Sequence, residues 1–320
     1  MEKSAAEYVT YRNSAEEINR AVRADASAFV EKAEADYRAN LAAIAETIAE
    51  ESRSCRLVML AGPSSSGKTT TAHLLKQALE KIGVGCVSIS LDDFYLGEGL
   101  APMLPNGKRD YECLEALDVP EIQKCLSQLV TASRCEMPAF DFEQHIPYPH
   151  RRKVVLHNRE VAVVEGIHAL NPALIGGLPS ECRAHRIYIS VKQGVCGDEG
   201  EILGPNDIRL IRRIVRDYRF RRTTPSATLA MWPNVMRGEY RYIKPFRGNA
   251  DITVNSFHDY ELGVLREQAV SLLSTVPEEN PGHGTAARLI GGLLRFEPVD
   301  PALVPRNSMI REFIGGGIVE

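Results

Sequence analysis

The sequence predicts an α/β fold, a parallel five-stranded sheet with helices on both faces and helical additions at both ends. Three observations carry this prediction. Five short apolar, β-branched runs (57–61, 85–91, 160–165, 186–191 and 250–255) are separated by stretches of helical period. The first runs into a glycine-bounded loop, Gly62-Pro-Ser64-Ser65-Ser66-Gly67-Lys68-Thr69-Thr70, which opens a helix carrying Leu74 and Leu75. The second and third end in acids, Asp92-Asp93 and Glu165.

Taken in order, Ser14-Ala-Glu-Glu17 is a capping-box start. From there Ile18, Val22, Ala26, Phe29, Ala33, Tyr37, Leu41, Ile44 and Ile48 recur at helical spacing. The spacing predicts one long helix, or two in succession with a break near Asn40, packed on the core or on a second subunit.

The loop at 62–70 has the G-x-x-x-x-G-K-[ST] spacing in a strand–loop–helix setting. Gly62 and Gly67 allow backbone angles that turn successive N–H groups inward as an anion cradle, and the helix N-terminus adds positive potential at the same place. In such a cradle Lys68 reaches the β- and γ-phosphates of a nucleotide and the Thr69 hydroxyl ligates Mg²⁺. Nucleotide binding follows, and the fold is that of a P-loop NTPase of the nucleoside- and nucleotide-kinase type.

Asp92 and Asp93 follow the second strand, where ligands of open α/β sheets bind. Adjacent residues of an extended segment point to opposite sides, so one of the two faces the phosphates. Residues 96–111 are rich in Gly and Pro and read as an exposed loop. Asp118 and Pro120 start a helix to about Val130, and 137–145 and 151–156 read as short extended pieces. Glu165, ending the third strand, supplies the acid that a Mg²⁺ shell needs opposite Thr69.

Between the last two strands, Asp207 to Arg222 holds seven arginines against one interior acid, with Ile208, Ile211, Ile214 and Val215 at helical spacing. The arginines then share the remaining face, and three readings stay open: a lid that clamps phosphates, an RNA contact, or a solvated face. The lid agrees best with a phosphate loop. The tail reads as mostly helical to Leu294; no chemistry follows from residues 304–317. Domain boundaries fall at 1–53 for an N-terminal helical extension, 54–260 for the kinase-type domain and 261–320 for a C-terminal helical extension.

Composition is ordinary for a globular chain of 320 residues, and the formal net charge of −4 argues against general nucleic-acid or membrane-surface binding. No apolar run approaches the ~20 residues that span a bilayer. Seven scattered cysteines without a C-x-x-C pair read as reduced thiols of a cytoplasmic protein.

Five segments together resemble the uridine kinase / phosphoribulokinase family: 62–70, Ile89-Ser-Leu-Asp-Asp-Phe-Tyr95, Pro138-Ala-Phe-Asp-Phe142, Val164-Glu-Gly-Ile-His-Ala-Leu-Asn-Pro172 and Arg209-Leu-Ile-Arg-Arg-Ile-Val-Arg-Asp217. The likeness runs in order from about residue 55 to 258. In a bacterial branch of uridine-kinase-like proteins it extends to Arg311-Glu-Phe-Ile-Gly-Gly316. Longer members of that branch carry an upstream region similar to part of threonyl-tRNA synthetase, of which this chain retains only the helical junction at about 14–53.

The resemblance implies ATP and Mg²⁺ as cofactors, with Gly62, Ser64, Ser65, Ser66, Gly67, Lys68, Thr69, Thr70 and Arg221 on the nucleotide. It implies Asp92 as the base that takes the proton from a nucleoside 5′-hydroxyl, and Thr69, Asp92 and Glu165 on the metal side. Tyr95 and Phe140 would line a base pocket, His145 would read the base and Glu115 would hold the ribose hydroxyls. Arg213, Arg216 and Arg221 would be lid arginines, Arg213 also touching the substrate. Phe140 and Glu115 stand where uridine kinases usually have Tyr and Asp, and Thr223 stands where a further Arg is usual. These departures spare the phosphoryl-transfer machinery and bear on the acceptor. The implied activity is ATP-dependent phosphorylation of uridine or cytidine, with a small-molecule nucleoside as partner; oligomeric state stays open, the long N-terminal helix offering a surface for a homo-oligomer. Two alternatives are another small alcohol such as a sugar phosphate, and a nucleotide-gated RNA-associated module.

Overall fold

The computed structural model describes residues 13–52, 55–97, 99–104, 107, 109–141, 144, 146–179 and 182–318. Helix α1 (Ala15–Glu51) leads through a short link into strand β1 (Leu57–Ala61), and the phosphate loop joins β1 to α2 (Lys68–Lys81). Then come β2 (Gly85–Ser90), α3 (Val119–Ala132), the hairpin β3 (Arg134–Asp141) and β4 (Ile146–Val155), β5 (Glu160–Glu165) and β6 (Ala184–Ser190). Helices α4 (Pro205–Arg221) and α5 (Pro225–Gly238) precede β7 (Ile252–Asn255), and α6 (Glu261–Leu273), α7 (His283–Leu293) and the single turn α8 (Arg311–Ile314) close the chain.

The main sheet has the order β7-β6-β1-β5-β2 and every pairing is parallel. The five predicted strands are these five. Side-chain alternation divides them between two apolar clusters. Val58, Leu60, Val163 and Ile189 face α1, α2, α4 and α6, whereas Met59, Ala61, Ala162 and Val164 face α3 and the hairpin. β1 is buried along its whole length, as a central strand with helices on both sides must be. The register sets Ser90 beside Glu165 at the carboxyl edge, next to the phosphate loop.

Two sequence expectations need correction, and a third gains its pairing. The break in α1 is at Asp25 (φ −164°, ψ 97°), not near Asn40. There the Ala28 N–H donates to Asp25 Oδ1 (3.0 Å), so an internal aspartate caps a second helix segment. The extended pieces around 137–145 and 151–156 form one antiparallel hairpin apart from the main sheet. The arginines of α4 do not share one exposed face, since Arg209, Arg212 and Arg213 are buried.

The helices at both ends pack into the same apolar cluster as the sheet. α1 lies along α2, where the Tyr37 hydroxyl bonds Thr71 Oγ1 (2.7 Å), and no described helix is long and apolar enough to cross a membrane.

Candidate active site

A cavity of about 560 Å³ opens at the carboxyl edge of the sheet. Its wall includes Ser64, Ser65, Gly67, Lys68 and Thr69 from the phosphate loop, Asp92 and Tyr95 after β2, Glu165 from β5, and Arg213, Arg216 and Arg221 from α4. Elements far apart in sequence thus converge on one place. Glu112 and Glu312 also line it, and neither was anticipated from the sequence.

The loop has the geometry of an anion cradle. Gly67 sits at φ +84° and Ser65 at φ +58°, which turns the intervening N–H groups inward. The Ser65 and Ser66 hydroxyls are buried without a hydrogen-bond partner among the described residues, which suits an incoming anion. Gly62 serves packing: a Cβ there would lie 2.2 Å from the Ile189 carbonyl oxygen. At Gly67 a Cβ would meet Met309 Sδ at 2.3 Å. Gly67→Ala is therefore expected to lower stability by about 1–2 kcal/mol from the left-handed backbone alone, with further loss from displacing Met309. A denaturant unfolding midpoint unchanged from the parent would refute this.

Arginines of α4 hold the loop from behind. Arg209 Nε donates to the Ser64 carbonyl (3.0 Å), Arg213 Nη1 to Ser64 Oγ (2.7 Å) and Arg212 Nη1 to the Ser65 carbonyl (3.3 Å). Asp217, buried on the same helix, gathers Arg213 (3.1 Å), Arg216 (2.9 Å) and Arg221 (3.6 Å). Arg213 and Arg221 are lowered from the ordinary guanidinium value by burial. Bracing the loop occupies the buried arginines, which leaves the RNA-contact reading of this helix with less to stand on.

Lys68 is held by the Pro63 carbonyl (3.3 Å), and burial lowers its pKa against the pull of Glu165 and Asp92. Burial raises Glu165 above the usual carboxylate range, with Ser90 Oγ donating to Glu165 Oε1 at 2.9 Å. Asp92 is raised as well, by desolvation against the pull of Lys68. Its side chain is exposed at the cavity mouth. The Asp92 and Glu165 carboxylates beside Lys68, with the Thr69 hydroxyl, form a donor set that suits a hard divalent cation. Asp93 points the other way, 3.7 Å from Arg152.

Tyr95 forms the aromatic part of the wall and donates its hydroxyl to the Tyr111 carbonyl (3.0 Å). Phe140 stands behind it, ring centroids 5.8 Å apart, outside the wall itself. Glu115 is exposed on the turn Leu114–Ala116 and does not line the cavity. The carboxylate that does is Glu112, three positions earlier, whose N–H is held by Asp110 Oδ1 (3.1 Å). Burial raises Glu112 despite Arg213 nearby. Thr70 is buried and faces Glu312. His168 is buried edge-on to Tyr242 and lowered by burial to about 4, hence neutral at physiological pH. His145 lies outside the described residues.

Fold and site define a P-loop phosphotransferase. The model of the "Phosphoribulokinase / Uridine kinase family" matches residues 57–180 of this chain. It is a kinase with an alcohol acceptor. Uridine kinase of Lactobacillus johnsonii is 28% identical over 225 residues, which cover 69% of this chain and 96% of that protein. Uridine kinase of Clostridium botulinum (strain Okra) is 27% identical over 200 residues, covering 62% of this chain and 86% of that protein. The crystal structure of a protein described as a fructose transport system kinase, from Silicibacter sp. TM1040, superposes with a TM-score of 0.50 at 22% identity. That match covers 67% of this chain and 98% of the other, and it shows the shared fold.

Proposed function

We propose that the chain transfers the γ-phosphoryl group of ATP to the 5′-hydroxyl of a pyrimidine nucleoside, uridine or cytidine. The observation that carries this reading is a single cavity in which Asp92 and the Tyr95 ring stand beside the phosphate loop. A hydroxyl-binding acid, an aromatic wall and a phosphate cradle are what a nucleoside acceptor and ATP together require. The uridine kinases matched over nearly their whole length support the same acceptor class.

In this reading the loop N–H groups, the Ser64–Ser66 hydroxyls, Lys68 and Thr70 hold the ATP phosphates. Asp92 orients the acceptor hydroxyl and takes its proton as the oxygen attacks. Arg213, Arg216 and Arg221 close on the transferring group and offset the charge spread over its oxygens. Tyr95, backed by Phe140, flanks the base, and Glu112 replaces Glu115 as the group nearest the ribose hydroxyls. Thr69, Asp92 and Glu165 would hold Mg²⁺, which when bound neutralises the phosphate oxygens. Asp217 pairs with all three arginines and so preorganises the charge.

A second acceptor class, a small polyol or sugar phosphate, is favoured by Glu112 and Arg213 facing the cavity together. The test is phosphate transfer from ATP and Mg²⁺ across a panel of nucleosides and sugar phosphates, with Lys68→Ala as control. Transfer to uridine or cytidine that vanishes in the control is the expected result. Transfer to sugar phosphates alone would replace this reading with the second one.

A further inference from the structure

The C-terminal segment enters the nucleotide site, and it is held there firmly. Met309 is fully buried against Gly67, and Phe313 is fully buried under the Arg212 guanidinium, 5.0 Å from its ring centre. The buried Ser308 hydroxyl bonds the Tyr260 hydroxyl (3.1 Å). Arg311 clasps the backbone carbonyls of Pro301 (3.0 Å), Gly315 (3.1 Å) and Val304. These anchors place the one acid of the turn, Glu312, in the cavity wall with its side chain 18% exposed.

There the Thr70 hydroxyl donates to Glu312 Oε2 (3.0 Å), and Arg216 Nη1 lies 4.0 Å from Glu312 Oε1. Thr70 is the third residue of α2, in the first turn at the positive end of the helix where a polyphosphate sits. A fixed carboxylate therefore occupies a donor that a phosphate would use, and its charge faces the phosphates at close range. Nothing in phosphoryl transfer calls for an anion there, so its effect falls on which form of the nucleotide is admitted.

We propose that Glu312 is a charge gate: it disfavours bare polyphosphate and admits the magnesium complex, whose net charge is two units less negative. The inference rests on the nucleotide-binding reading of the cavity. Coulomb repulsion scales with ligand charge, so the gate acts roughly twice as strongly, in free energy, on bare ATP as on its complex. The same carboxylate faces Lys68 and Arg216 when no phosphate is bound, which is why the cluster tolerates it.

The test is titration calorimetry of ATP, in EDTA and in excess Mg²⁺, on the parent, Glu312→Gln and Glu312→Asp. Glutamine keeps an acceptor for the Thr70 hydroxyl and removes only charge, and unfolding midpoints confirm that the variants remain folded. Glu312→Gln is expected to tighten bare ATP by about tenfold and Mg-ATP by about threefold, following charge. Glu312→Asp is expected to retain most of the parent's discrimination. Equal changes for both forms, or none in either, would overturn the gate while leaving nucleotide binding established. A parent that binds ATP in neither condition would remove the nucleotide-binding reading and the gate with it.

Discussion

Asp92→Asn is expected to lower turnover by about 10²–10⁴-fold, the range for a positioned general base, with ATP binding held or slightly tightened. The carboxylate lines the cavity with Lys68 and Tyr95, and its neighbour Asp93 turns toward Arg152, so only one of the pair is placed to meet an acceptor hydroxyl. Asparagine keeps the shape and loses the proton acceptor. Steady-state kinetics with separate ATP titration checks the split. An active Asp92→Asn beside a dead Asp93→Asn would move the base to the other residue.

The pH profile follows from the same environment. Burial raises Asp92 above the usual aspartate value, and transfer requires the ionised form. Turnover should therefore fall on the acid side at a pH above the ordinary aspartate value, and the part of that limb due to Asp92 should be missing from Asp92→Asn. The stability sign is opposite. A carboxyl whose folded pKa exceeds its unfolded value contributes stability below the unfolded pKa, and that contribution is lost as pH rises through the folded value. Asp92→Asn should thus be slightly more resistant to thermal unfolding near neutral pH, as sites tuned for activity often are when relieved of charge.

What the sequence disclosed and what it concealed divide along the range of the interactions involved. The five strands, the phosphate loop and the acids at strand ends are local patterns: an apolar run, a glycine spacing, a residue one step past a β-branched stretch. Asp25 is local too, since its side chain caps the Ala28 N–H. An aspartate three residues ahead of a helical run is a readable cap, and attention to Asn40 missed it.

Other features depend on chain segments that the sequence does not connect. Glu312 stands 242 positions from Thr70, and nothing near residue 312 marks it as facing a phosphate loop. Glu112 follows a Gly/Pro-rich stretch where no periodicity says which acid turns inward, and the resemblance points to Glu115 instead. The spacing at 207–222 puts the arginines together on the face opposite the apolar one, as a lid would need. That reading fails for Arg209 and Arg212 because their partners, Glu239 and Glu261, come from later elements. A buried arginine with a matching acid elsewhere looks, in sequence, like an exposed one.

Arg212→Ala is expected to cost about 3–5 kcal/mol of stability, the range for breaking a buried pair by removing one partner. Arg212 and Glu261 both have fully buried side chains and form a bidentate pair, with Nε to Oε1 at 3.0 Å and Nη2 to Oε2 at 2.6 Å. The same guanidinium donates to the Ser256 carbonyl (2.7 Å) and the Ser65 carbonyl (3.3 Å), and it rests on the Phe313 ring. One side chain therefore joins the helix after the last strand, the end of that strand, the phosphate loop and the C-terminal turn. Alanine leaves the buried Glu261 carboxylate without its cation, held among the described residues only by the His258 N–H (3.0 Å), which is the dominant cost. Arg212→Met combined with Glu261→Gln removes both charges and should recover much of the loss in denaturant melts. The recovered protein should still bind nucleotide less well than the parent, because the Ser65 carbonyl and the Phe313 turn have lost their common anchor. A single Arg212→Ala as stable as the parent would mean that the pair contributes little and that the loop is held by Arg209 and Arg213 alone.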